Sequence, residues 1–116
     1  MDNIKMDLPS DPKYLQMLRL STSSLANQIG FDIEIIEDLK VVVSEIFTHC
    51  IIENERIRVD FSLYNDKIVI NFFTNESEKE KGFNDISLEF KKQILLSLTD
   101  EFILEDDKIT IIMNKA

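Results

Sequence analysis

Glu45 and His49 stand four residues apart, one turn of a helix, so their side chains would share a helical face. A carboxylate and an imidazole at that spacing make either a helix-surface ion pair, worth about 0.2–0.5 kcal/mol, or two ligands of a soft-metal site. Two ligands are too few for zinc, and no metal is assigned. The neighbouring Cys50 is the sole cysteine and cannot form an internal disulfide, which points to a reducing compartment. On a helix its ordinary place is the core, as a small apolar side chain. Arg19 is the third residue of interest. Leu15, Leu18 and Thr22 around it fall on a core-facing stripe, which leaves Arg19 projecting to solvent. Such a guanidinium is either merely solvated or part of a protein interface, where arginine is enriched among the residues that dominate binding.

These side chains need elements to position them, and the hydrophobic pattern supplies them. Ile4, Met6 and Leu8 alternate as a short first strand that Pro9 stops. Ser10-Asp11-Pro12 reads as a helix start, a capping side chain followed by a proline whose missing N–H costs nothing there. Leu15, Leu18, Thr22, Leu25, Ala26 and Ile29 then recur at helical spacing, and Gly30 ends that helix. Asp32 caps a second helix, whose apolar stripe from Ile35 and Ile36 through Leu39, Val42, Val43, Ile46 and Phe47 to Ile51 also carries Glu45 and His49. Glu53-Asn54-Glu55 breaks it. Ile57, Val59, Phe61 and Leu63 alternate as a half-buried strand, Asn65-Asp66 turns the chain, and Ile68, Ile70 and Phe72 continue the alternation in a hairpin partner spanning Lys67 to Phe73.

Residues 74–84 are polar and charged and read as a surface loop containing Gly82. A third helix is expected from Asp85 to Leu98, with Phe90, Ile94, Leu95 and Leu98 inward. Phe102 to Leu104, the acidic turn Glu105-Asp106-Asp107, and Ile109 to Met113 make a final hairpin. The predicted order is β-α-α-β-β-loop-α-β-β. It implies an α/β (α+β) two-layer sandwich, with a mixed, largely antiparallel sheet of about five strands and three helices on one face.

A chain of 116 residues, 44% of them hydrophobic, suits one domain spanning 1–116. Its 22 acidic and 13 basic residues give a net charge of −9, which disfavours nucleic acid, whose binding requires Lys and Arg to neutralise phosphates. The balance suits a basic protein surface or simple solubility. No apolar run is long enough to span a bilayer, and Met1-Asp2-Asn3-Ile4-Lys5 lacks the features of a secretory signal. A cytoplasmic location is expected.

Three stretches together resemble the anti-sigma serine kinases RsbW and SpoIIAB, of the GHKL (histidine-kinase-like) ATPase fold. Met6-Asp7-Leu8-Pro9-Ser10-Asp11-Pro12-Lys13-Tyr14 resembles their opening strand and proline-led helix entry. Gly30-Phe31 followed by Ile36-Glu37-Asp38-Leu39-Lys40-Val41-Val42-Val43-Ser44-Glu45 is similar to the run into their nucleotide-binding helix. Leu98-Thr99-Asp100-Glu101-Phe102 resembles their last helix-to-strand junction. The likeness runs along nearly the whole chain, and its element order agrees with the one above.

The resemblance implies ATP use, capture of a sigma factor, and phosphorylation of a STAS-domain antagonist on serine. Against that pattern Glu45 matches the glutamate that acts as base or orients water. His49 stands where the family has the Mg²⁺-holding asparagine, and imidazole nitrogen is a poor Mg²⁺ ligand. Thr74, with Asn75-Glu76 beyond, stands where the adenine-binding aspartate and its glycine belong. Glu89-Phe90-Lys91 replaces the glycines that let backbone amides approach phosphate, and only Gly82 lies between Gly30 and the chain end. Phosphoryl transfer depends on positioning and metal-assisted charge stabilisation. The expectation is therefore a regulator that binds a sigma factor or a STAS-type antagonist without cofactor and does not act as a kinase. The alternative is a divergent but active ATP- and Mg²⁺-dependent serine kinase, and a third reading is a scaffold that only dimerises. By the same resemblance Arg19 occupies the place of an arginine that contacts both partners, and a homodimer is expected.

Overall fold

The computed structural model describes residues 1–51, 55–73, 86–105 and 107–115, with backbone alone at 86–90. Strand β1 (Asp2–Pro9) leads through a 3₁₀ turn at Pro12–Tyr14 into helix α1 (Leu15–Gln28) and helix α2 (Ile33–Cys50). Strands β2 (Arg56–Leu63) and β3 (Lys67–Phe73) follow, then helix α3 (Ile86–Leu98) and strands β4 (Glu101–Leu104) and β5 (Lys108–Asn114). The predicted element order is the observed one.

The sheet runs β1-β2-β3-β5-β4, and each neighbouring pair is antiparallel, in keeping with the largely antiparallel five-stranded sheet expected. Hairpin connections explain this for β2–β3 and β4–β5, since strands joined by a tight turn must run in opposite directions. Tyr64 N–H donates to Lys67 O at 2.9 Å to close the first hairpin, and Glu105 N–H to Lys108 O at 2.9 Å to close the second. Alternation assigns the faces. Ile57, Val59, Phe61, Ile68, Ile70, Phe72, Ile109 and Ile111 are fully buried beneath the helices and form one core with Leu18, Leu39, Val42, Val43, Ile46 and Phe47. The opposite face carries a polar row, in which Asp60 and Thr110 are nonetheless buried. There Thr110 Oγ1 donates to Asn71 Oδ1 at 2.6 Å, while Arg58 lies over the Phe73 ring with its Nε 3.4 Å from Asp60 Oδ1.

The first helix begins later than the sequence implies. Asp11 does cap, accepting from Lys13 N at 3.0 Å, but what it caps is the 3₁₀ turn. Ser10 instead closes the layers: its hydroxyl donates to Ile51 O and its N–H to Glu55 O, each at 3.0 Å. The corner between α1 and α2 follows the sequence closely. Gly30 has φ +90°, with its N–H bonded to Asn27 O and the Phe31 N–H bonded to Ala26 O, both at 3.1 Å. That pair of bonds is a Schellman stop, and its apolar clasp is Phe31 with Ala26, both in the core. Asp32 Oδ1 then accepts from Ile35 N at 3.0 Å and starts α2.

Candidate functional site

α2 is the axis of the site. Its buried line Val42, Ile46, His49 advances by four and then three residues, so His49 falls in with core residues. His49 is only 9% exposed, so it lies on the packed side of the helix where a surface position was expected. Cys50 beside it is fully buried and free, as its apolar character implies.

Glu45 sits on the rim of the same helix, partly exposed, and its carboxylate is engaged from another element. Lys91 Nζ of α3 lies 2.8 Å from Glu45 Oε2. Lys91, Leu95 and Leu98 recur at helical spacing, and Leu95 is buried and Leu98 half-buried. The rotation of α3 that buries Leu95 also aims Lys91 at α2. It turns Ile94 outward, at 44% exposure, which corrects its expected inward place. The Phe90 and Glu89 side chains, Thr74, the loop 74–84 with Gly82, and the break at Glu53-Asn54 lie outside the described residues.

A Mg²⁺–nucleotide fits the described residues badly. The position that should offer a hard oxygen holds a buried imidazole, and the matching carboxylate already has an ammonium at hydrogen-bond distance. Among the described residues no three His, Cys, Asp or Glu side chains converge as a metal site would require.

Arg19 stands apart from this pair on α1. It is half-buried where free projection to solvent was expected, and its Nε is buried with no hydrogen-bond partner among the described residues. Such a group pays a desolvation penalty without compensation. The surrounding helix is unusual for this chain: Arg19 is the single charged residue of Leu15–Gln28, while the chain as a whole is 30% charged. Met17 and Leu20 are exposed on it and line a groove of about 420 Å³ with Ile4, Met6 and Leu25 beside the outer strand β1.

Sequence reasoning missed the role of Lys91, which it treated only as a lost glycine. No local signal could have paired it with Glu45, because the contact exists only once α3 packs on α2.

No protein-family model matches the chain. A serine-protein kinase RsbW of Listeria innocua is 38% identical over 80 residues, covering 64% of this chain and 51% of that protein. A serine-protein kinase RsbW of Oceanobacillus iheyensis is 44% identical over 75 residues, covering 60% and 48%. The chain thus spans about half the length of these two relatives. A serine-protein kinase RsbW of Bacillus cereus is 27% identical across 98% of this chain and 84% of its own length. Among solved structures, one holding the RsbU and RsbW domains of a Mycobacterium tuberculosis protein superposes with a TM-score of 0.69 over 99% of this chain and 32% of that one, at 12% identity, a likeness of fold. By its sequence the chain is a homologue of the serine-protein kinases named RsbW, and it has the fold of an RsbW-containing structure.

Proposed function

We propose that this chain is an anti-sigma-factor-like regulator that works by binding a protein partner, a sigma factor or a STAS-domain antagonist, without using ATP. The observation that carries the reading is the Lys91–Glu45 ion pair. The lysine stands against this carboxylate from α3, and a helix bearing Lys91 where the resemblance places glycines puts a side chain where exposed amides would meet phosphate. Support for protein binding comes from α1, where a nearly uncharged helix presents Met17 and Leu20 beside Arg19 in an otherwise highly charged chain. Interface cores are depleted of charge and enriched in Met and Arg. The net charge of −9 suits a basic partner surface, through complementarity that steers encounter. A cytoplasmic setting and a homodimer belong to the same proposal. No helix of the described residues is long and apolar enough to cross a membrane, and β1 and β4 are the outer strands of the sheet.

The second reading, an active serine kinase, is favoured by the name its relatives bear. A thermal-shift titration with ATP and ADP, with and without Mg²⁺, separates the two. A ligand at about 100 times its Kd stabilises the native state by about 2.7 kcal/mol, which moves the melting point of a domain this size by about 5 °C or more. No shift at millimolar nucleotide is the expected result; a Mg²⁺-dependent shift promotes the kinase.

For the partner surface, Arg19→Ala is expected to keep the fold and abolish capture of the sigma factor or antagonist, a loss of about 2 kcal/mol or more. Calorimetry against candidate partners from the host reads it. Capture at unchanged affinity would remove Arg19 from the surface.

A further inference from the structure

We propose that the outer edge of β1 is the homodimer seam: a second copy of this chain adds its own β1 there, antiparallel and centred on Met6, and joins the two sheets into one. This rests on the homodimer reading above and gives it a surface. The starting observation is the direction of the backbone groups of β1. Ser10 N–H donates to Glu55 O, and in the same register Leu8 lies opposite Ile57, Met6 opposite Val59 and Ile4 opposite Phe61. In an antiparallel ladder alternate residues turn their N–H and C=O toward the same neighbour. The even-numbered residues of β1 therefore bond to β2, and Asn3, Lys5 and Asp7 turn theirs to the other side. No strand lies on that side among the described residues. Asp7 O accepts from Arg56 Nη2 at 3.2 Å, which leaves its second lone pair for another donor. Pro9 ends the edge, because it has no N–H and its carbonyl accepts from Asp11 N at 2.9 Å.

An open edge of this kind is satisfied by another strand. The side chains say which one. Directly opposite residues in an antiparallel pair share a face, so a symmetric pairing of β1 with itself must be centred on a residue. Centred on Met6, it sets Lys5 opposite Asp7 of the second copy and Asp7 opposite that copy's Lys5, with Ile4 opposite Leu8 on the helical face. Centring on Lys5 or on Asp7 sets a charge against itself, and centring on Ile4 sets Lys5 against the uncharged Asn3. Charge complementarity thus selects both the occupant and its register.

The helical side of the edge agrees. Ile4 and Met6 are only half-buried, and they line the groove of about 420 Å³ between β1 and α1 together with Met17 and Leu25. A two-fold axis at Met6, perpendicular to the sheet, keeps both helical layers on one face, so the two grooves meet over the seam. Arg19 is not among the residues that line this groove, and the partner surface assigned to it stays open.

Cysteine cross-linking tests the seam. The unaltered chain, Met6→Cys and Lys5→Cys are mildly oxidised and resolved without reductant, beside sedimentation velocity of each. At the centre of the seam the Met6 pair is not hydrogen-bonded, so its Cα atoms stand about 4.5 Å apart, within disulfide reach. The two Lys5 residues are diagonal neighbours at about 7–8 Å, which is too far. Cys50 is buried, and the unaltered chain reads its background. The disulfide-linked dimer is expected in Met6→Cys, at about tenfold or more over Lys5→Cys. Adding Lys5→Glu to Met6→Cys sets carboxylates face to face and should cut the yield about tenfold, and mixing with Met6→Cys chains that carry Asp7→Lys should restore it. The same exchange of Lys5→Glu with Asp7→Lys, followed by sedimentation without any cysteine, keeps the test if Met6→Cys fails to fold. A chain that sediments as a dimer yet cross-links at Lys5, or at neither position, would overturn the seam and leave the homodimer reading standing. A monomer up to millimolar concentration would overturn both. Dimers indifferent to Lys5→Glu, or not restored by mixing, would overturn the register.

Discussion

The corner between α1 and α2 and the contact between α2 and α3 hold the same helix in two different ways. At the corner, neighbours in sequence do the work. Gly30 takes a positive φ, two backbone bonds finish α1, and the Asp32 side chain starts α2. At the far side, among the described residues, α3 is held by the buried Leu95, the half-buried Leu98 and a partly exposed ion pair between residues far apart in the chain. The first arrangement is written into backbone conformation and has no near competitor. The second depends on contacts that exist only once the elements have packed.

The comparison can be broken by mutation. The largest effect should come from Phe47→Ala, on the fully buried side of α2 that both regions share, at about 3–5 kcal/mol. Denaturant unfolding measures it, and a loss under about 1 kcal/mol would mean that α2 is not the axis of the core. Gly30→Ala comes next, at about 1–2 kcal/mol, because alanine is strained at φ +90° wherever its methyl group goes. The same melts decide it: a change below about 0.5 kcal/mol would show the corner to be adaptable. Smallest is the pair itself. A double-mutant cycle of Lys91→Ala with Glu45→Gln should give a coupling of about 0–1 kcal/mol that shrinks as salt is raised. A salt-insensitive coupling above about 2 kcal/mol would place the pair in a drier setting and erase the contrast with the corner.

Most of the fold could be read along the chain because its signals are local. Strict alternation placed β2 and β3 to within a residue, and the glycine and aspartate at the first corner fixed both helix ends. The misplaced residues were those whose setting depends on packing. His49 looked like a surface neighbour of Glu45, yet it lies in phase with Val42 and Ile46 and is carried into the interior. Arg19 borders the core stripe closely enough for the helix and its neighbours to cover its Nε. Ile94 was assigned inward because a run of three apolar residues leaves the phase of a helix undetermined. Within the candidate site, the residue types were legible and the pairing was not. Glu45 stood out by its spacing, whereas Lys91 acquires meaning only from the approach of α3.

The pairing of β1 with β2 bears on how the chain reaches this state. Asp2 lies opposite Leu63 and Leu8 opposite Ile57, so two helices and their corner separate every partner along this edge of the sheet. Closing so long a loop is entropically slow, whereas the α1–α2 unit and the β2–β3 hairpin close over short distances. β1 is synthesised before the helices and β2, and must therefore wait for them before it can pair with β2. The order of synthesis and the order of assembly run in opposite senses at this edge.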